Sequence, residues 1–123
     1  MAKIKPPTPR EKRKAYIQAR LAYWNQFYGF SWNRVTIKNM RSRLGSCSSL
    51  RNLNFASKLF SYPPEVIDYV VVHELCHLKE MNHSKRFYDL IAQTIPDWKE
   101  RKASLKKRDL RKSFSLFFSR FRL

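Results

Sequence analysis

A chain of 123 residues, 43% hydrophobic and 15% aromatic, holds enough apolar material for one domain with a modest core and too much for a disordered chain. Its formal net charge of +17 is uneven, with thirteen Lys and Arg against the single acid Glu11 over residues 1 to 64. Two cysteines, no apolar run of about 20 residues and no apolar segment behind the basic N-terminus exclude a disulfide-stapled secreted domain, a transmembrane span and a secretory leader, so a single cytoplasmic domain over 1–123 is expected. Such a charge attracts polyanions: non-specific nucleic acid, an anionic membrane surface and an acidic substrate all suit it, and so does a merely solvated basic face.

Residues 1–7 read as a basic arm, because the PPTP run cannot continue a helix. Thr8, Pro9 and Glu11 then form a capping-box start, and Ile17, Leu21, Trp24, Phe27 and Tyr28 recur at helical spacing, predicting a helix from Pro9 to Tyr28 that stops at Gly29. From Trp32 the period shortens. Val35 and Ile37 alternate with Thr36 and Lys38; Leu53, Phe55 and Leu59 share one face of a second run; a third extended piece covers Leu44 to Ser48. Gly45, in that piece, marks a bulge, a close backbone approach or a plain turn.

The stretch SYPPEVIDYVVVHELCHLKE opens on Pro63 and Pro64, carries Glu65 and Asp68 near its start, and predicts a helix of about 16 residues, apolar almost all round and therefore buried. Ser84 can cap a short helix with Phe87, Leu90 and Ile91 inward, ended by Pro96, and Asp97 can cap another to about Leu110. The aromatic and basic tail 111–123 reads as an amphipathic segment, docked on the core in the favoured reading and lying on a partner or membrane interface in the alternative.

All three histidines fall within HELCHLKEMNH, inside or just beyond the buried helix. Residues four apart stand on one face, so His73 and His77 can aim at one point, while Glu74, turned by about 100° from His73, can reach past a metal without ligating it. A catalytic zinc takes three protein ligands and leaves one position open. His83 supplies the third only if the chain breaks around Met81 and Asn82 and turns back, with Asn82 suited to a left-handed turn. The interval from His77 to His83 matches the pattern HExxHxxGxxH, with Glu80 in place of the glycine. Cys76 neighbours His77 and points elsewhere, so it reads as a buried packing residue, and Cys47 as a core or strand residue.

In combination, RLGSCSS, PPEVIDYVVVHELCHLKEMNHSKRF and PDWKERKASL resemble the YgjP-like zinc metallopeptidases, relatives of the WLM and SprT-like groups, from about Tyr16 to Leu105. The resemblance implies a zincin-like α+β fold, with a short sheet of about three strands against an N-terminal helix and the HExxH helix, followed by further C-terminal helices. It also implies zinc on His73, His77 and His83, with Glu74 as catalytic base and peptide bonds as target. The Gly45, Ser46 and Cys47 motif would support the site. Leu44 stands where the family usually has tryptophan, Leu50 and Arg51 replace a Lys-Gly type of turn, and the strand-rich segment that precedes the core of longer members is missing ahead of residue 16, so the chain reads as a member truncated at its N-terminus.

The expected function is zinc-dependent hydrolysis of a peptide or protein substrate, in which Glu74 takes a proton from the attacking water and passes it to the leaving amine. Tyr88 is a possible donor to the oxyanion, though packing is the commoner role for such a tyrosine. The alternatives are a basic nucleic-acid-binding module with a structural zinc, and a protease acting on nucleic-acid-bound proteins.

Overall fold

The computed structural model describes residues 5–109. Most of the expected basic arm and all of the tail 111–123 lie outside the described residues. Helix α1 spans Pro9–Asn25 and starts as its sequence dictates: Thr8 Oγ1 accepts from the Glu11 N–H at 3.1 Å, and Glu11 Oε1 accepts from the Thr8 N–H at 3.2 Å. It ends at Asn25, short of Tyr28, because the Asn25 side chain folds onto Phe30. Asn25 Nδ2 donates to the Phe30 carbonyl at 2.8 Å and Oδ1 accepts from the Phe30 N–H at 2.7 Å. Gly29 completes the exit at φ +74, the left-handed conformation in which glycine costs least.

Three strands follow, β1 (Arg34–Lys38), β2 (Gly45–Cys47) and β3 (Asn52–Ala56), in the sheet order β1-β3-β2. The central β3 runs parallel to β1, with Val35 opposite Leu53 and Ile37 opposite Phe55, and antiparallel to β2, with Gly45 opposite Phe55. Period-two alternation places Val35, Ile37, Leu53 and Phe55 in the core. Leu59, expected on the same face of β3, is not in the strand. Its partner strand ends where Lys38 meets Ala56, so the chain leaves the sheet and buries Leu59 from a 3-10 turn at Ser57–Ser61. In the β2–β3 connection Arg51 takes φ 64, the position where the family resemblance has glycine, and its Nε donates to the Ser31 carbonyl at 2.8 Å.

Helix α2 (Pro64–Cys76) runs through the centre, packed on α1 and the sheet on one side and on α3 (Lys85–Ala92) and α4 (Trp98–Asp109) on the other. Val66, Val71, Val72, Leu75 and Cys76 are fully enclosed, together with Ile17 and Leu21 of α1 and Phe87 and Ile91 of α3. Leu90, expected inward, is only half-buried. Polar ties fix the helices: Arg20 grips Asp68 with two hydrogen bonds of 2.8 and 2.9 Å, and the Tyr28 hydroxyl donates to the Leu90 carbonyl at 2.7 Å. Arg101 Nη1 donates to the Glu65 carbonyl at 2.9 Å, tying α4 to the start of α2. Among the described residues no helix is long and apolar enough to cross a membrane.

The architecture is the α+β arrangement expected: a three-stranded sheet and an N-terminal helix against a buried central helix, with two further helices behind it.

Candidate metal centre

The first link in the site is the length of α2. Pro63 and Pro64 start it without a side-chain cap, and it holds 13 residues, fewer than the apolar run suggested. It stops because His77 already occupies the C-cap, after which the N–H groups of Lys79 and Glu80 both close on the Cys76 carbonyl, at 3.1 and 3.0 Å. The chain then reverses and carries His83 back over the helix end. The left-handed turn expected at Asn82 is not used: among the described residues Arg51 is the non-glycine residue with positive φ. The reversal is instead spread over the stretch from Leu78 to His83.

The result is convergence. One ligand nitrogen from each of His73, His77 and His83 lies within 4.8 Å of the others, and among the described residues this is the group of metal-ligating side chains that comes together. Nε2 of His77 and Nε2 of His83 face each other at 3.0 Å. His77 Nδ1 stands 3.0 Å from the Glu80 carbonyl oxygen, which can only accept, so Nδ1 carries the proton and Nε2 presents its lone pair. Burial, chiefly, lowers the pKa of both His77 and His83, with the charge of His73 pushing the same way, so both rings favour the neutral state that a metal requires.

Phe87, fully buried at the start of α3, is the floor under all three rings. It stacks on His77 at 4.3 Å and 17° and meets His73 and His83 at centroid distances of 4.9 and 5.2 Å. The sequence marks Phe87 as an inward residue without revealing this duty; its place four residues after His83 was the available signal. Ser84, which accepts from the Phe87 N–H at 3.4 Å, fixes the ring by capping the helix that carries it.

Glu74 is 5% exposed and lies on the sheet side of the triad, with Oε2 3.2 Å from His73 Nδ1. Its side chain passes directly over Gly45 of β2: a Cβ there would meet Glu74 Cγ at 2.9 Å and the Asn54 carbonyl at 3.2 Å. Gly45 therefore serves the close approach, not a turn. Cys47 and Cys76 are free thiols, pushed up to about 11 and about 12, in each case mainly by burial, so neither is a thiolate near neutral pH.

A cleft of about 510 Å³ opens over these groups, between the β2 edge and α4, and is large enough for several residues of a ligand. Lys102, which sequence reasoning passed over, lines it. Tyr88 does not. Its ring stacks on Trp98 at 4.3 Å and its hydroxyl receives a hydrogen bond from Lys102 Nζ at 3.0 Å.

The donor set fits zinc: three imidazoles suit a borderline-soft cation, and ligands on a tetrahedral zinc at about 2.0–2.1 Å lie roughly 3.3 Å apart, near the 3.0 Å spacing between the His77 and His83 nitrogens.

The same architecture occurs in solved structures. The crystal structure of the metallopeptidase zymogen of Pyrococcus abyssi abylysin matches with TM-score 0.68 at 19% identity, over 75% of this chain and 93% of that one. That of Methanocaldococcus jannaschii jannalysin, also a metallopeptidase zymogen, matches with TM-score 0.63 at 20% identity, over 75% of this chain and 95% of that one. No curated protein sequence matches the chain. The family model of the YgjP-like metallopeptidase domain matches residues 8–108, nearly all of what the fold orders around the histidines, and the chain therefore belongs to the YgjP-like metallopeptidases.

Proposed function

We propose that the protein is a zinc peptidase of the HExxH type, with His73, His77 and His83 as the metal ligands and Glu74 as general base. The observation that carries this reading is the convergence of three imidazoles beside a buried carboxylate at the floor of an open cleft. Bound there, zinc would supply Lewis acidity toward a peptide carbonyl and bring the pKa of a coordinated water to about 7.

The chain's own residues do the rest. Glu74 takes the proton from the attacking water and returns it to the leaving nitrogen, a shuttle that needs a carboxylate held still. Gly45 beneath and His73 beside it hold it. Glu80, through its backbone carbonyl, keeps His77 in the ligating tautomer, and Phe87 fixes the three ring planes.

A nucleic-acid-binding module with a structural zinc would leave Glu74 without a task, and only the net charge favours it. Two free cysteines fit a reducing, cytoplasmic setting, and one domain covering the chain is the simplest organisation. The test is to compare zinc content and cleavage of an unfolded protein substrate between the intact protein and Glu74→Gln.

A further inference from the structure

The cleft beside the histidines is electrically lopsided. Arg43, Lys58 and Lys102 line it, and Glu74 is the sole acid among its described lining residues. Lys58 is already engaged with the Arg41 carbonyl, and Arg43 is exposed. Lys102 differs from both. It is half-buried on α4, and no carboxylate among the described residues forms an ion pair with it, although Arg20, Lys85 and Arg101 each find one.

Lys102 is nevertheless held in place. Nζ donates to the Tyr88 hydroxyl at 3.0 Å, and Tyr88 is itself fixed by its stack on Trp98, one turn before Lys102 on the same helix. A phenol oxygen can orient an ammonium without neutralising it, and the ammonium keeps two further N–H donors. A half-buried cation supported by a neutral phenol, whose ring centroid lies 4.9 Å from Nζ, and by no carboxylate among the described residues is partly desolvated without full compensation. A ligand carboxylate would supply that compensation, by a charge-assisted hydrogen bond stronger than a neutral one.

We propose that Lys102, oriented by Tyr88, is a carboxylate-binding subsite of the cleft and that the substrates are acidic peptides. The subsite gains its biological sense from the peptidase reading above, but it is a binding property and can be tested without turnover. The carboxylate can come from an Asp or Glu side chain near the scissile bond or from the peptide C-terminus; both present the same group to the ammonium.

The experiment uses the full, zinc-loaded chain carrying Glu74→Gln, so that peptides bind without being consumed. Fluorescein-labelled neutral peptides with a single Glu moved along the chain are matched with Gln counterparts, each with a free or an amidated C-terminus, and affinity is read by anisotropy. One Glu position, or the free terminus, should bind roughly tenfold or more tighter than its neutral counterpart, and which of the two does so identifies the source. Lys102→Met should erase that preference, and Lys102→Glu should reverse it, so that the neutral counterpart binds tighter. Lys12→Met, an equal change of net charge on the exposed side of α1, should leave it intact.

Tyr88→Phe keeps the stack on Trp98 and the charge but frees the ammonium, so it should give a smaller loss of the same preference; it carries the test if Lys102→Met does not fold. Equal affinity for every Glu and Gln pair and for both termini would overturn the proposal. So would an equal loss in Lys12→Met, which would assign the preference to the overall charge. Selective binding by a protein that cleaves none of these peptides before Glu74 is replaced would remove the peptidase reading and leave the subsite standing, whereas cleavage without selectivity would do the reverse.

Discussion

Gly45 and Glu74 touch across the gap between β2 and α2 so closely that a Cβ on Gly45 would lie 2.9 Å from Glu74 Cγ and 3.0 Å from its Oε2. The backbone at Gly45 is not left-handed, so an alanine there suffers no conformational strain, only collision. One neighbour is the flexible Glu74 side chain, and the other is the Asn54 carbonyl, which is held in β3. The glutamate must therefore give way. Gly45→Ala should keep its metal, cost about 1–3 kcal/mol of stability by overpacking, and lower kcat by about a hundredfold through displacement of the base. Zinc analysis and peptide cleavage measured together check this, and wild-type kcat in Gly45→Ala would show that the contact does not position Glu74.

The ligand set predicts a hierarchy of metal loss. Replacing His73, His77 or His83 by alanine should in each case lower zinc affinity severely, since each change takes away one of the three proposed protein ligands. Cys76→Ala should leave zinc binding unchanged, because its thiol is enclosed in the core and outside the converging group. Titration against a chromogenic chelator measures both; zinc retained in His83→Ala and lost in Cys76→Ala would call for a different site.

Acid should weaken the metal-free fold before carboxylates begin to titrate. His77 and His83 have lowered pKa values, chiefly through burial, so the unfolded chain, titrating near 6.5, binds more protons than the folded one just below that value. Stability then rises with pH across this window and falls as pH drops below about 6.5. Thermal melting of chelator-treated protein should give a lower Tm at pH 5.5 than at pH 7.5. A flat Tm over that range would contradict the lowered pKa of these rings, above all that of the buried His77.

The clamp between α1 and α2 is the ion pair most worth testing. Arg20 and Asp68 form two hydrogen bonds and leave only 30% and 14% of their side chains exposed, so Asp68→Asn should cost about 1–2 kcal/mol in denaturant titration. Lys85 and Asp89 pair at 2.7 Å but stand in solvent, and Asp89→Asn should produce no measurable change. Equal losses from the two would undo the distinction.

What could be read from the chain followed local rules. The capping box at Thr8 and Glu11, the alternation of Val35 and Ile37, and the double proline at the start of α2 each act within a few residues and stand in the fold as read. The fold class and the family were also readable, because the motifs around the histidines are specific in combination. What escaped depends on partners distant in sequence. Leu59 leaves the strand because β1 has ended, which nothing near Leu59 reveals. The reason for Gly45 lies on another element, in Glu74, and Phe87 meets the histidines and Lys102 the cleft only through the packing of α3 and α4. Asn82 shows the converse error: a residue that tolerates a left-handed turn does not have to make one.

The central claim, that Glu74 is a catalytic base beside a three-histidine zinc site, is tested most directly by Glu74→Gln. The amide nearly matches the carboxylate in size, so neither packing against Gly45 nor the histidine geometry should suffer, but it cannot accept the proton. Zinc content, Tm and cleavage of an unfolded protein substrate are measured side by side on the intact and substituted proteins. The account predicts equal zinc and Tm within a few degrees, with cleavage reduced at least about 10²- to 10⁴-fold, the usual loss on removing a general base. Equal cleavage by the two proteins would contradict it.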